Sequence, residues 1–116
     1  MVYQTRLGDK KYEVEVLSCD CRLDAANMVK LKTRINSLIK RNQKRVLLDL
    51  SRTRQVDLAG VGILMERVKT LRSLQGDVKV CNIRRQVSDT FRMIGISRLI
   101  ESYASREEAL QSFAAQ

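Results

Sequence analysis

The period of the apolar positions changes along the chain, and each change marks an element. Val2 to Leu7 and Lys11 to Leu17 are strand-like runs on either side of Gly8-Asp9-Lys10, a composition that predicts a hairpin. In the second arm Tyr12, Val14 and Val16 alternate with Glu13 and Glu15, which predicts one face in and one face out. Behind Asp24, a suitable N-cap, the spacing of Met28, Leu31, Ile35, Leu38 and Ile39 becomes helical. Lys30, Lys32, Lys40 and Arg41 fall on the other side of that helix, which is expected to end near Asn42. Val46-Leu47-Leu48-Asp49-Leu50 is almost unbroken apolar chain and reads as a central strand buried on both faces.

After a loop over residues 51–56, Asp57 caps a second helix with Val61, Leu64, Met65, Val68 and Leu71 as its stripe, expected to stop at Gly76. Val78 to Ile83 is the next strand. Arg85 to Ile94 is a short helix with Val87, Phe91 and Ile94 inward, stopped by Gly95. Leu99 to Tyr103 is a weak last strand, and Ser105-Arg106-Glu107-Glu108 is a capping box for a closing helix that carries Ala109, Leu110 and Phe113. The order is therefore β-β-α-β-α-β-α-β-α. Strands alternating with helices imply crossover connections and an α/β fold with a mostly parallel or mixed sheet, the hairpin supplying an antiparallel edge.

A length of 116 residues suits one domain spanning 1–116, large enough to bury a core without a metal or disulfide staple. No apolar stretch approaches the roughly 20 residues that span a bilayer, so membrane insertion is not expected. Met1 to Lys11 has no apolar signal region, and a cytoplasmic location is the default expectation. The three cysteines suit a reducing compartment. Cys19 and Cys21 form a C-x-C pair with no histidine to complete a common zinc set, and Cys81 reads as a small core hydrophobe. The net charge of +9 invites a nucleic-acid reading, but the basic residues are dispersed and aromatics are few. A solvated basic face fits this better, and an acidic protein partner would also use one.

Candidate chemistry is sparse. Histidine, the commonest general base, is absent, and neither a phosphate-binding loop nor a full dinucleotide fingerprint is present. Gly60-Val61-Gly62 lacks the third glycine of that fingerprint. No catalytic residue, metal ligand or cofactor is assigned, and a non-enzymatic protein is expected. Two glycines in the first turn of a helix are unusual, because each costs about 1 kcal/mol relative to alanine. They either bare the backbone to a partner or admit tight helix packing.

Val46-Leu47-Leu48-Asp49-Leu50-Ser51 followed by Val56-Asp57-Leu58-Ala59-Gly60-Val61-Gly62-Ile63-Leu64 resembles the signature of the STAS domain. In bacterial anti-sigma factor antagonists that signature runs V-x-L-D-L-S, a short loop, then D-S-S-G-L-G-x-L. Arg22-Leu23-Asp24-Ala25-Ala26 resembles the family's first helix start, and Gly76-Asp77-Val78-Lys79-Val80 its G-x-x-x-x-L strand. The stretch from Val87 through Gly95-Ile96-Ser97-Arg98-Leu99, and Glu107-Glu108-Ala109-Leu110 at the close, extend the similarity over nearly the whole chain.

The resemblance implies a four- to five-stranded mixed sheet with helices mainly on one face. It also implies binding to an anti-sigma factor that doubles as a serine kinase, within a partner-switching pathway of transcription regulation. Such a kinase phosphorylates the second serine of D-S-S-G, and the added charge breaks the complex. Here the two serines correspond to Leu58 and Ala59, and Ala59 has no hydroxyl to phosphorylate. Ser51 and Thr53 lie nearby but match nothing in that motif. The expected partner-binding residues are Asp24, Asp57, Leu58, Ala59, Gly60, Gly62 and Ile63, flanked by Arg84 and Arg85 on the same strand-end edge. Alternative readings are a scaffold or accessory subunit of a stress-signalling complex or a transporter, and a basic module for nucleotide or nucleic acid.

Overall fold

The computed structural model describes residues 2–5 and 14–114. The Gly8-Asp9-Lys10 turn, Tyr12 and Glu13 lie outside the described residues. The elements are β1 (Val2–Thr5), β2 (Glu15–Cys19), α1 (Ala25–Lys40), β3 (Arg45–Asp49), α2 (Leu58–Ser73), β4 (Asp77–Cys81), α3 (Arg85–Ile94), a 3-10 turn (Ile96–Arg98), β5 (Ser102–Tyr103) and α4 (Arg106–Ala114). They form a five-stranded sheet in the order β1-β2-β3-β4-β5. β1 is antiparallel to β2, and the other neighbours are parallel. The α/β class, the element order and the mixed sheet are those expected from the apolar pattern.

The strands divide their side chains between two cores. Leu17, Val46, Leu48, Val78 and Val80 face α1, α2 and α3, whose Met28, Leu31, Ile35, Leu64, Val68, Val87 and Phe91 fill the larger core. Val14, Val16, Leu47 and Cys81 face the opposite way, under Ala109, Leu110 and Phe113 of α4. Among the described residues the helices thus lie mainly on one face, with α4 on the other. This second layer corrects the expectation for β2. Its alternation does not separate core from solvent, because Val16 and Leu17 are both fully buried, one in each core.

Boundaries shift for local reasons. Helix α2 does not end on a left-handed Gly76: the positive φ of 67° falls on Gln75. Gly76 is needed for space instead, since a Cβ there would sit 2.1 Å from the Lys44 carbonyl oxygen. At α3 the expected glycine stop holds, with Gly95 at φ 94°. β4 stops at Cys81, where Asn82 turns into the left-handed region at φ 56°. β5 is shorter than expected, because Ile96–Arg98 coils into a 3-10 turn that buries Ile96. Leu99 and Ile100 then pack into the larger core before the chain extends.

Candidate docking surface

Parallel crossovers start α1, α2 and α3 at the edge where β2, β3 and β4 end. At that edge the loop after β3 is held from several sides. The buried Thr53 hydroxyl donates to the Cys19 carbonyl at 2.8 Å, and the Leu50 amide donates to the Cys81 carbonyl at 3.0 Å. Arg84 donates from Nε to the Ser51 carbonyl at 2.9 Å, and Arg52 lies 3.6 Å from the Asp20 carboxylate.

The starts of α1 and α2 are sewn together. Leu23 and Val56 form a parallel bridge, in which the Leu23 amide donates to Gln55 at 2.9 Å and the Asp57 amide to Leu23 at 3.2 Å. Asp24 accepts from the Asn27 amide at 2.9 Å, and Asp57 accepts from the Gly60 amide at 2.8 Å. Both carboxylates therefore serve as N-caps, which satisfy helix-end donors and place negative charge at the positive end of the dipole.

The two glycines of the first α2 turn have different roles. Gly60 is buried, and a Cβ on it would meet the Leu23 carbonyl oxygen at 2.0 Å. The backbone that approaches Gly60 closely is the chain's own, which is why a partner has no access to it there. Gly62 is exposed, with nothing within 4 Å of the Cβ position. Leu58 is 71% exposed, Ala59 is exposed, and Ile63 is half-buried against the core. The expected docking residues thus resolve into an exposed set (Asp57, Leu58, Ala59, Gly62), of which Asp57 is also the α2 cap, on a less exposed base (Asp24, Gly60, Ile63). Arg84 is tied down as a brace for the Ser51 turn, whereas Arg85 is exposed at the start of α3. Of the two nearby hydroxyl residues, Thr53 is buried and Ser51 is exposed.

The sequence pattern did not single out Val29, which is 53% exposed on α1. The register between α1 and α2 is given by Lys32 with Glu66 at 3.5 Å and Asn36 with Arg67 at 2.6 Å. Val29 lies in the second turn of α1, whose start shares the sheet edge with the start of α2. An apolar residue off the core stripe at the start of a helix is the signal that marks it.

Beside this edge, Asp49 is buried at the end of β3. Its carboxylate accepts from the Ser51 amide at 3.0 Å and pairs with Arg106 Nε at 2.7 Å. Arg106 also donates to the Ser18 hydroxyl at 3.1 Å, so it joins the start of α4 to β2 and β3. Burial pushes the Asp49 pKa up, but the Ser51 amide and the Arg106 guanidinium outweigh it, and the net shift is downward. Burial pushes the Cys19 and Cys81 thiols to about 12, which keeps both protonated and unreactive at neutral pH. Among the described residues no group of three or more His, Cys, Asp or Glu is placed to hold a metal ion. No helix among them is long and apolar enough to cross a membrane.

The STAS domain family model matches residues 9–109. The chain belongs to the STAS family. It is 28% identical over 91 residues to BtrV, a candidate anti-sigma factor antagonist of Bordetella bronchiseptica, and the match covers 78% of each chain. Among solved structures it resembles a candidate anti-sigma factor antagonist of Thermotoga maritima, with a TM-score of 0.81, 17% identity and 88% of each chain covered. It also resembles the anti-sigma factor antagonist SpoIIAA in its unphosphorylated form, with a TM-score of 0.74 and 17% identity over 100% of each chain. It thus shares the STAS fold with proteins described as anti-sigma factor antagonists.

Proposed function

We propose that this STAS domain is a non-enzymatic regulator that binds an anti-sigma factor or switch kinase through the start of α2, and that it stays in the binding-competent state. The observation that carries the reading is the exposed Leu58-Ala59 pair directly behind the Asp57 cap, with open space over Gly62. A serine in place of Ala59 would offer a hydroxyl to a kinase at this exposed helix start. Alanine offers none, so the charge that would break a complex cannot be added there. Thr53 is no substitute acceptor while folded, because its hydroxyl is buried and committed to Cys19. Ser51 is the nearby hydroxyl residue that a kinase could reach.

The test pairs capture from lysate of the source cell with mass analysis. Wild type is expected to retain an anti-sigma factor or a protein of the same signalling class, and Ala59→Glu to lose it. Retention of every partner by Ala59→Glu would remove the helix start from the interface. Incubation with ATP and the captured kinase should leave the intact mass unchanged. A phosphate on Ser51 accompanied by release of the partner would overturn the permanent-binding reading.

A further inference from the structure

The proposed docking edge is continuous with an unusually charged surface. Helices α1 and α2 together carry seven basic residues and one carboxylate, Glu66. The helices alone are net +6; counting their capping carboxylates Asp24 and Asp57 they are net +4, against +9 for the whole chain. Glu66 is already engaged by Lys32 and Arg67, at 3.5 and 2.8 Å. Arg72 is paired with Asp77 at 3.0 Å. Lys30, Arg34, Lys40 and Lys69 are exposed and make no ion pair among the described residues. The opposite layer is of the other sign: α4 begins Arg106-Glu107-Glu108, and Arg106 is spent on Asp49.

We infer that the partner docks with an acidic protein surface laid along α1 and the outer face of α2, around an apolar centre made by Val29, Gly62 and Leu58. This rests on the proposed function and adds the chemistry of the partner to it. Charge alone would also suit nucleic acid. The arrangement favours protein, because the helices that carry the unpaired cations also expose Val29, Leu58 and Gly62 and present no aromatic stacking platform. A dry centre inside a charged rim is the anatomy of a protein interface, and a phosphate backbone has nothing to put in that centre. With a screening length of about 8 Å at physiological salt, the rim charges act chiefly on encounter and orientation. The sign difference between the α1–α2 layer and α4 then turns the correct face toward an acidic partner before contact.

The experiment uses the full chain and the protein that it captures from nuclease-treated lysate, identified by mass and purified. Lys30→Glu with Arg34→Glu, both on exposed helix positions, is compared with Ala59→Glu, with circular dichroism confirming that each variant folds. The double charge reversal is expected to slow association at least tenfold at low salt and to flatten its dependence on salt. Reversing acidic residues of the partner to lysine should then restore the rate with the double variant. Unchanged rate and salt dependence in the double variant, together with lost binding in Ala59→Glu, would overturn the acidic-partner inference and leave the docking edge intact. Unchanged binding in Ala59→Glu would instead overturn the docking edge itself. Tight binding of a short DNA duplex or of anionic lipid vesicles at physiological salt, competing with the captured protein, would show that the basic layer serves another polyanion and would overturn the inference.

Discussion

At the scale of single residues, the two glycines of α2 show how identical letters acquire different jobs. Their pattern in the sequence suggested one shared reason, yet the first is required by packing and the second is not. Gly60→Ala would force a Cβ to within 2.0 Å of the Leu23 carbonyl oxygen, a backbone atom held by the bridge to Val56. The helix starts would have to separate, at a cost of about 3 kcal/mol. Gly62→Ala meets nothing within 4 Å and replaces a poor helix former, so it should stabilise the fold by up to about 1 kcal/mol. Urea unfolding of the two variants checks both signs. If Gly62→Ala stabilises the domain but weakens partner capture, the glycine is there for the approach of the partner. This distinction was not legible in the sequence, because whether a missing Cβ matters depends on Leu23, far away along the chain. The N-caps Asp24 and Asp57 were legible, because a cap acts on its own next turn.

At the scale of elements, local signals located nearly every helix, while strand limits depended on neighbours. The Gly95 stop and the Ser105 cap, which accepts from the Glu108 amide at 3.2 Å, are set by adjacent residues. β5 was overestimated because Leu99 and Ile100 are apolar for the sake of the core, not for strand pairing. The least legible feature of β4 is Lys79, a charged residue in a strand buried along its whole length. Its side chain lies beneath α4, with Nζ 2.8 Å from the Ser112 hydroxyl, 3.5 Å from Glu101 and 4.5 Å from the centre of the Phe113 ring. Ser112, Glu101 and the aromatic face compensate the buried ammonium, and these contacts tie α4 to the sheet. A buried charge gains little net stability over an apolar side chain of similar length. Lys79→Met is therefore expected to change stability by less than about 1 kcal/mol, whereas Lys79→Ala, which leaves a cavity under α4, should cost about 2 kcal/mol. Thermal unfolding of both variants separates a filling role from an electrostatic one: a large loss in Lys79→Met would mean that the charge itself holds the helix.

At the scale of the whole molecule, a sheet with helices on both faces must be held together across its layers, and the fold does this beside the start of α2. Alternation along the strands could report burial but not the presence of α4 on the second face, so Asp49 looked like an interruption in an apolar run. It is the joint between the layers: one carboxylate oxygen holds the Ser51 turn that leads toward α2, and the other holds Arg106 at the start of α4. Its folded pKa is depressed below the ordinary 3.8. Above that unfolded value both states are ionised and the stabilisation is fully present. As pH falls below it, the unfolded chain takes up the proton first, and stability is lost progressively until the folded carboxyl is protonated as well. Asp49→Asn keeps the shape but removes the charge, and should cost about 1–2 kcal/mol at pH 7, less than for a fully buried pair because Arg106 is partly solvated. The difference between wild type and variant should shrink as the pH is lowered through the range below 3.8, where wild type loses the same charge. Urea midpoints for both proteins from neutral pH down to about pH 3 measure this directly. A gap that stays constant across that range would mean that Asp49 stabilises the joint through its hydrogen-bond geometry and not through its ionisation.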